Sequence, residues 1–268
     1  MQDMLLHGHI FKNAGTTLDW SLQRSFGAAF FEHRDDAQMR QAPEAVLSTL
    51  LSEDGALRAL SSHSMPCPAP DIDGYRFSTL LMLRHPLKRV RSVYDFERRQ
   101  NAKTPGAIAA KEKTYEEYVA WRMRSDVGPT IRNFQTRYLS GAKGNPRDLV
   151  IGPERLSLAL SATRRFPGVG IVERYDESMV LFEYALRETF PELDLAYLPQ
   201  NVSSSKLRRG EQGWFEKLGE SHNAVIDGNA VDLVLYETAT RDLDARIAEV
   251  ADFDTRYADF KARCQALA

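Results

Sequence analysis

The chain has 268 residues, of which 43% are hydrophobic and 27% are charged, and its formal net charge is −2. This length and composition predict a single domain over residues 1–268, with a helical C-terminal part from about residue 211. The charge balance lacks the basic excess typical of nucleic-acid-binding proteins, so a polyanion site has to be a local patch. Two distant cysteines, Cys67 and Cys264, offer neither a disulfide framework nor zinc-ligand spacing.

No apolar run reaches the roughly 18 residues that a membrane span needs. The sequence enters its first predicted strand within a few residues, which leaves no room for a signal peptide. Together with the two cysteines, these features lead us to expect a protein without a membrane span in a reduced cytoplasm.

The chain begins with an apolar run over residues 4–10, which predicts a buried strand. A tight turn with Lys12 and Gly15 follows, and then Thr16 and Thr17 open a helix. Apolar residues mark one face of this helix, namely Leu18, Leu22 and Phe26. Backbone N–H groups at a helix N-terminus converge on one point, where the helix dipole favours negative charge. The stretch therefore predicts a cradle for a phosphate-like group.

The later elements alternate in type. Apolar runs of strand length predict strands at residues 28–33, 57–62, 77–83 and 169–172. Helical patterns cover residues 43–51, 86–96, 114–124, 130–139, 153–165 and 175–190, and continue from about Asn229. Loops are predicted at 34–41, 100–113 and 201–210, the second as a mobile loop or lid.

This alternation predicts an α/β protein with a three-layer α/β/α fold of the P-loop type and additional C-terminal helices. Its central sheet is expected to be mainly parallel. Ligands of such sheets bind at the carboxyl ends of the strands. Both the Lys12 turn and the segment after residues 77–83 fall at such ends.

The Lys12 turn differs from the nucleotide loop G-x-x-x-x-G-K-[ST], in which the lysine directly follows the second glycine. Here Lys12 precedes Gly15 by three residues. The order Lys-x-x-Gly-Thr-Thr resembles the 5′-phosphosulfate loop of sulfotransferases that use 3′-phosphoadenosine 5′-phosphosulfate. The string HIFKNAGTT, residues 9–17, resembles the HIPKTAGTT opening of their carbohydrate-type branch, the heparan sulfate 2-O-sulfotransferase-like "sulfotransferase family 2". Phe11 and Asn13 depart from that wording.

A second motif follows the strongest predicted strand. Arg84 comes directly after it and Ser92 lies eight residues later, within LRHPLKRVRS, which resembles the family segment LRHPxxRxxS. The resemblance implies that both residues bind the donor 3′-phosphate. An arginine with a hydroxyl donor suits a dianionic phosphate, and ATP has no phosphate at that position. A lone Arg and Ser would be ascribed to a strand end and a solvated helix face.

A third match is NFQTRYLSG, residues 133–141, which resembles the family helix end NxQTRxLSG. It implies that Gln135 and Arg137 line the acceptor side or brace the donor loop. A helix with core aromatic residues and a glycine C-cap explains the same letters, and both interpretations can hold. Ser203 and Lys206, in a basic segment, correspond to a part of relatives that closes over the nucleotide; a solvated surface loop is the alternative.

Sulfuryl transfer needs a base for the attacking hydroxyl, and His63 is the candidate. It follows a predicted strand in SSHSMP, where relatives carry a GHxP-like element with a catalytic histidine; Ser62 replaces the glycine. An imidazole with an ordinary pKa near ~6.5 suits general-base work at neutral pH. The other histidines carry no such motif, and His7 and His9 are expected to be packed in the first strand.

The resemblance implies a bacterial-type sulfotransferase with Lys12 and His63 as catalytic residues. Lys12 would stabilise the leaving oxygen as adenosine 3′,5′-bisphosphate departs, and a carbohydrate hydroxyl is the expected acceptor, with neither metal nor nucleic acid involved. The residues expected to hold the donor are Lys12, Asn13, Ala14, Gly15, Thr16, Thr17, Arg84, Ser92, Ser203 and Lys206. The alternatives are a P-loop small-molecule kinase and a catalytically silent module that binds nucleotide or glycan.

Overall fold

The computed structural model describes residues 1–198, 218–219 and 221–268, and its centre is a five-stranded sheet. The strand order is β2-β3-β1-β4-β5, and every pairing is parallel. The strands are β1 (Gln2–Gly8), β2 (Phe30–His33), β3 (Ala59–Ser62), β4 (Tyr75–Leu83) and β5 (Val169–Ile171). The predicted α/β class with a parallel sheet is confirmed.

Helices connect the strands and continue after β5. The described helices before β5 are α1 (Gly15–Phe26), α2 (Asp36–Gln41), α3 (Pro43–Glu53), α4 (Pro86–Arg99), α5 (Pro105–Glu112), α6 (Tyr115–Met123), α7 (Phe134–Leu139) and α8 (Pro153–Thr163). Those after it are α9 (Tyr175–Leu186), α10 (Ser221–Gly228), α11 (Ala230–Ala248) and α12 (Phe253–Ala266). None of the described helices has the length and apolar character needed to cross a bilayer.

The helices form a layer on each face of the sheet. Successive side chains of a strand point to opposite faces, and Met4, Leu5 and Leu6 of β1 are all fully buried. Leu5 packs in a cluster with α1, α9 and α12. Met4 and Leu6 pack on the opposite face with α2 and α3, and the same face of β4 carries α7, α8 and α11. The result is the predicted three-layer α/β/α arrangement.

Two segments that were predicted to be loops contain helices. The loop prediction for 34–41 was wrong for α2, whose N-terminus is capped by Asp35, which accepts from the Gln38 N–H at 2.9 Å. The lid prediction for 100–113 was wrong for α5, which buries its small residues Gly106, Ala107, Ala109 and Ala110. The alanine and glycine content that suggested mobility instead allows close packing, because small side chains let helices approach.

Other predicted helices have different bounds. The helix predicted over 130–139 begins only at Phe134, because Asn133 adopts the left-handed conformation with φ 38°. The helices predicted to end at 165 and 190 end at Thr163 and Leu186. The loop predicted at 201–210 lies outside the described residues.

The packing of α5 generates a test of stability. A Cβ at Gly106 would overlap the guanidinium of Arg122 and the carboxylate of Glu97, which form a buried ion pair. Ala has a higher helix propensity than Gly by about 1 kcal/mol, so an open helix position would gain stability. We expect Gly106→Ala instead to lower the free energy of unfolding by about 1–3 kcal/mol, because overpacking displaces the ion pair. Urea denaturation measures the change.

Gly55 is the matched control, since it is exposed, lies in a turn and has open space around its Cα. We expect Gly55→Ala to change the free energy of unfolding by no more than about 0.5 kcal/mol. Equal effects of the two substitutions would contradict the described packing of α5.

Candidate anion-binding and catalytic site

The sheet order defines where a ligand site belongs. From β1 the chain returns through α1 to β2, beyond β3, whereas from β4 it proceeds to β5 on the opposite side. The connections of the neighbouring strands β1 and β4 therefore diverge, which makes a crevice at their carboxyl ends. Gly8 pairs with Leu81 near these ends, so the segments that follow the two strands lie side by side.

The segment after β1, residues 9–14, has a strained backbone. Lys12 and Ala14 adopt positive φ values of 67° and 62°, although neither is glycine. Such conformations cost about 1–3 kcal/mol each and persist where the surroundings enforce them. Ala14 is the N-cap of α1 and no side chain caps this helix among the described residues. The exposed Thr16 and the buried Thr17 occupy the first turn. The Thr17 N–H donates to the Ala14 carbonyl at 3.1 Å, so the N–H groups of Gly15 and Thr16 and the Thr16 hydroxyl are the donors that suit an anion.

Gly15 has a packing role that the sequence does not reveal. A Cβ at this position would overlap the imidazole of His9, which lies directly against the Gly15 backbone. The glycine of the predicted cradle therefore makes room for a histidine.

A pair of buried amides joins the two segments. The Asn13 side chain donates through Nδ2 to the Met82 carbonyl and to Gln135 Oε1, each at 2.7 Å. Gln135 Oε1 also accepts from the Arg84 N–H at 2.8 Å, and its Nε2 donates to the Arg84 carbonyl at 2.9 Å. Gln135 is 0% exposed and Asn13 is 1% exposed. Gln135 was predicted either to line the acceptor side or to brace the donor loop. Its hydrogen bonds to Asn13 and to the Arg84 backbone, which we call the Gln135 brace, support the second role.

Gln135 is in turn held by Asp232, which the sequence analysis missed. The Asp232 carboxylate accepts from the backbone N–H groups of Gln135 and Thr136, at 3.0 and 2.7 Å, and from the Thr136 hydroxyl at 2.7 Å. Asp232 is itself 1% exposed and lies on α11, almost 100 residues later in the chain. Only an acidic residue in the first turn of a helix is visible in the sequence, which does not reveal such a contact.

Positive charge is concentrated where the two segments meet. Arg84 donates through Nη1 to the Lys12 carbonyl at 3.2 Å. Arg89 is 1% exposed and donates to the carbonyls of Phe11 and Thr130 at 3.0 and 2.9 Å. Burial lowers the pKa of Lys12 to about 8, and repulsion from the neighbouring arginines, Arg84 foremost, adds to this. Crowded, desolvated cations of this kind form a site that favours an anion.

The remaining predicted residues lie around this cluster. Ser92 is half-buried on α4. Arg137 is half-buried, lies over the Phe134 ring with its guanidinium carbon 4.8 Å from the centroid, and donates to the Pro129 carbonyl at 3.5 Å. Ser203 and Lys206 lie outside the described residues.

His63 follows β3, the neighbour of β1 on the side away from β4. Its Nδ1 lies 2.9 Å from the His9 carbonyl, which can only accept, so Nδ1 carries the proton and Nε2 has a free lone pair. Desolvation of the packed ring lowers the pKa of His63 below its usual value, and repulsion from His9 acts in the same direction. The residue is exposed to solvent. A neutral, accessible imidazole with this tautomer is suited to act as a base.

Behind His63 lies a second cluster that the sequence analysis missed as a unit. Asp19 on α1 accepts from His7 Nδ1 at 2.6 Å and from His9 Nδ1 at 2.8 Å. Although burial opposes its ionisation, the two imidazoles hold the pKa of Asp19 far below its usual value. The signal was the alternation of His7 and His9, which puts both rings on the β1 face that α1 covers.

His7, His9 and Asp19 are also the one group in the described residues with the composition and proximity of a metal site. Ligand atoms on one tetrahedral zinc ion, about 2.0–2.1 Å from the metal, lie about 3.3 Å apart. The nitrogen–oxygen distances of 2.6 and 2.8 Å are shorter and are those of hydrogen bonds. We therefore interpret the cluster as a hydrogen-bonded network.

A cleft of about 540 Å³ opens beside the Lys12 segment. Its walls include the aromatic side chains of Phe11, Phe96 and Trp121, and the Lys12 ammonium lies 4.5 Å from the centre of the Phe96 ring. The ion-paired Glu97 and Arg122 also line the cleft, with their charges neutralised by each other. The volume is in the range of small-molecule sites.

Comparison with known proteins gives a relative over most of the chain but no matching family model. No family model matches the chain. A protein of Archaeoglobus fulgidus that is described as uncharacterized is 28% identical over 251 residues, which cover 87% of this chain and 94% of that protein. The similarity extends over nearly the whole of both chains and carries no functional description.

The Gln135 brace generates a second test. Gln135→Ala would leave the backbone N–H and carbonyl of Arg84 without their buried partner, and each unpaired group costs about 1–3 kcal/mol. Together with the cavity, we expect the free energy of unfolding to fall by about 3–5 kcal/mol. Gln265→Ala, at an exposed position of α12, is the control and should change it by less than about 0.5 kcal/mol. Similar values in urea denaturation would contradict the brace.

Proposed function

We propose that this protein is a sulfotransferase that moves a sulfuryl group from 3′-phosphoadenosine 5′-phosphosulfate to a hydroxyl of a carbohydrate acceptor. The observation that carries the proposal is the cation cluster at the ends of β1 and β4. There the Arg84 guanidinium donates to the Lys12 carbonyl, the Arg84 N–H donates to the buried Gln135, and the pKa of Lys12 is lowered. A bound anion would relieve the repulsion among these cations. The positions of the cations after two adjacent strands suit a donor with two separate anionic groups.

The residues present fit such a donor. The first-turn N–H groups of α1, the Thr16 and Thr17 side chains and Lys12 would hold the 5′-phosphosulfate. Arg84 and Ser92, after β4, would hold the 3′-phosphate, for which an arginine and a hydroxyl are suited. The proposed contacts of Ser203 and Lys206 belong to the same nucleotide.

The proposed chemistry uses His63 and Lys12. The donor supplies the sulfuryl group as a mixed anhydride with a phosphate. His63 takes the proton of the acceptor hydroxyl at Nε2, whose lone pair is free because Nδ1 is the donor to His9. The acceptor oxygen bonds to sulfur while the bond between sulfur and the phosphate oxygen breaks, and the electron pair leaves with that oxygen. Lys12 donates a hydrogen bond to the departing oxygen.

The aromatic cleft is the proposed place for the acceptor. Its Phe96 wall lies beside the Lys12 ammonium and hence beside the oxygen that leaves. The negative faces of aromatic rings attract the polarised C–H bonds of a sugar ring. Two unpaired cysteines, Cys67 and Cys264, suit the cytoplasm, which we propose as the location.

A first experiment separates transfer from binding. With labelled donor and a mixed panel of carbohydrate acceptors, we expect the wild type to transfer sulfate. His63→Ala should lower kcat by about 10²- to 10⁴-fold, the usual contribution of a general base. Its affinity for adenosine 3′,5′-bisphosphate, measured by calorimetry, should stay unchanged, since His63 lies on the side of β1 away from Arg84.

His222→Gln is the control, because this residue lies on α10 and belongs to none of the segments that directly follow β1, β3 and β4. Unchanged transfer by His63→Ala would show that His63 is not the base. ATP-dependent formation of ADP without a response to the sulfate donor would favour the kinase. Binding of adenosine 3′,5′-bisphosphate without transfer to any acceptor would favour the silent module.

The pH dependence of kcat/KM gives another test, because this quantity reports the free protein. His63 must be neutral, so activity should rise with pH through the His63 pKa, which desolvation places below the ordinary value. Lys12 must be charged, so activity should fall as pH rises through its pKa of about 8. Lys12→Arg should remove this alkaline decline, since a guanidinium stays protonated. A decline that persists unchanged in Lys12→Arg would exclude Lys12 as its source.

A further inference from the structure

His63 is supported by His9 at two points. The His63 Nδ1–H donates to the His9 carbonyl at 2.9 Å, and the two ring centroids are 3.9 Å apart with a tilt of 38°. The hydrogen bond fixes which nitrogen carries the proton, whereas the ring contact restricts the plane of the His63 imidazole. The direction of the Nε2 lone pair therefore depends on where His9 lies.

His9 is itself fixed by Asp19. The His9 Nδ1–H donates to one carboxylate oxygen at 2.8 Å, and His7 occupies the other oxygen at 2.6 Å. The Ser61 hydroxyl lies 3.2 Å from the same His7 nitrogen, and the Asp19 side chain is only 13% exposed. On its other side the His9 ring lies against Gly15, where a Cβ would displace it. The ring thus has one position.

We infer that Asp19 is a positioning residue for His63: through His9, it fixes the plane of the His63 ring and keeps the Nε2 lone pair aimed at the proton it accepts. This role rests on the proposed function and adds a residue to that site. Asp19 is placed to act through another side chain, because its two oxygens are already occupied by His7 and His9.

Charge and position have to be separated, because two carboxylates lie near His63. Asp19 acts from α1, behind His7 of β1 and His9 of the segment that follows β1. Asp36 acts from α2 and accepts from the Ser64 hydroxyl at 3.0 Å, which also accepts from Arg40 at 2.9 Å. Both carboxylates favour the protonated form of His63. Of the two, Asp19 is the one bonded to the residue that supports the His63 ring.

This difference defines the experiment. Asp19→Asn and Asp36→Asn remove the same charge without changing the size of the side chain. We expect Asp19→Asn to lower kcat at pH values above the His63 pKa by about 10- to 100-fold, below the roughly 10⁴-fold effect of a carboxylate bonded directly to a catalytic imidazole. Asp36→Asn should change the same value by no more than about threefold. Affinity for adenosine 3′,5′-bisphosphate should be unaltered in both.

Nitrogen-15 NMR of labelled histidines in the donor-free protein gives a readout that does not depend on transfer. In the wild type, the His63 signals should show a protonated Nδ1 and an unprotonated Nε2. In Asp19→Asn the Nδ1 proton should persist, because the His9 carbonyl remains. The nuclear Overhauser contacts between the His9 and His63 rings should be lost in that variant, whereas Asp36→Asn should retain them. A structural role of Asp19 alone would lower the melting temperature and leave the contacts between the His9 and His63 rings unchanged.

A second variant covers the case in which Asp19→Asn does not fold. His9→Asn retains an N–H for Asp19 and the backbone carbonyl for His63, and removes only the ring. Its kcat should fall while the Nδ1 proton of His63 persists. Wild-type kcat in Asp19→Asn and in His9→Asn would overturn the inference. A wild type with the expected tautomer but no sulfate transfer would instead overturn the proposed function.

Discussion

The site depends on one buried amide, the side chain of Gln135. A parallel sheet brings the ends of β1 and β4 together, but both carry cations, and like charges in a desolvated position repel each other. Gln135 joins the two segments with neutral, directional hydrogen bonds to Asn13 and Arg84. Because Gln135 and Asn13 are buried, water does not compete for these bonds, and they hold the cations at a separation that electrostatics alone would increase.

Through Gln135, the site is connected to helix α11 in the C-terminal part of the chain. Gln135 and Thr136 are held by Asp232 on α11, and α11 also contributes Leu235 and Leu243 to the core under β4 and β5. The segment after β1 is therefore completed by a helix more than 200 residues later in the sequence. Contacts of this separation form late, since the loop-closure entropy has to be offset first. We expect the anion site to become ordered only when α11 docks.

The predictable features were those with a local signal. Period and run length predicted the sheet, and the carboxyl-end rule predicted that Lys12 and Arg84 meet. Two helices were missed because the Ala- and Gly-rich α5 and the polar α2 lack an apolar stripe. The contacts of Asp232 and of His9 with Asp19 were missed because each buried polar group finds its partner on another element. The expected packing of His7 and His9 is confirmed, but the carboxylate that binds them lies on another element and is not visible in their neighbours along the chain.

Strand β1 separates two kinds of chemistry. Toward β4, Lys12 lies among arginines in a desolvated position, which suits a group that arrives with negative charge. Toward β3, Asp19, His7 and His9 hold the neutral ring of His63, which suits the movement of a proton. The short segment between them carries the strained Lys12 and Ala14. That strain, about 1–3 kcal/mol per residue, is sustained because both halves fix the segment at once, His9 at its start and Asn13 in its middle.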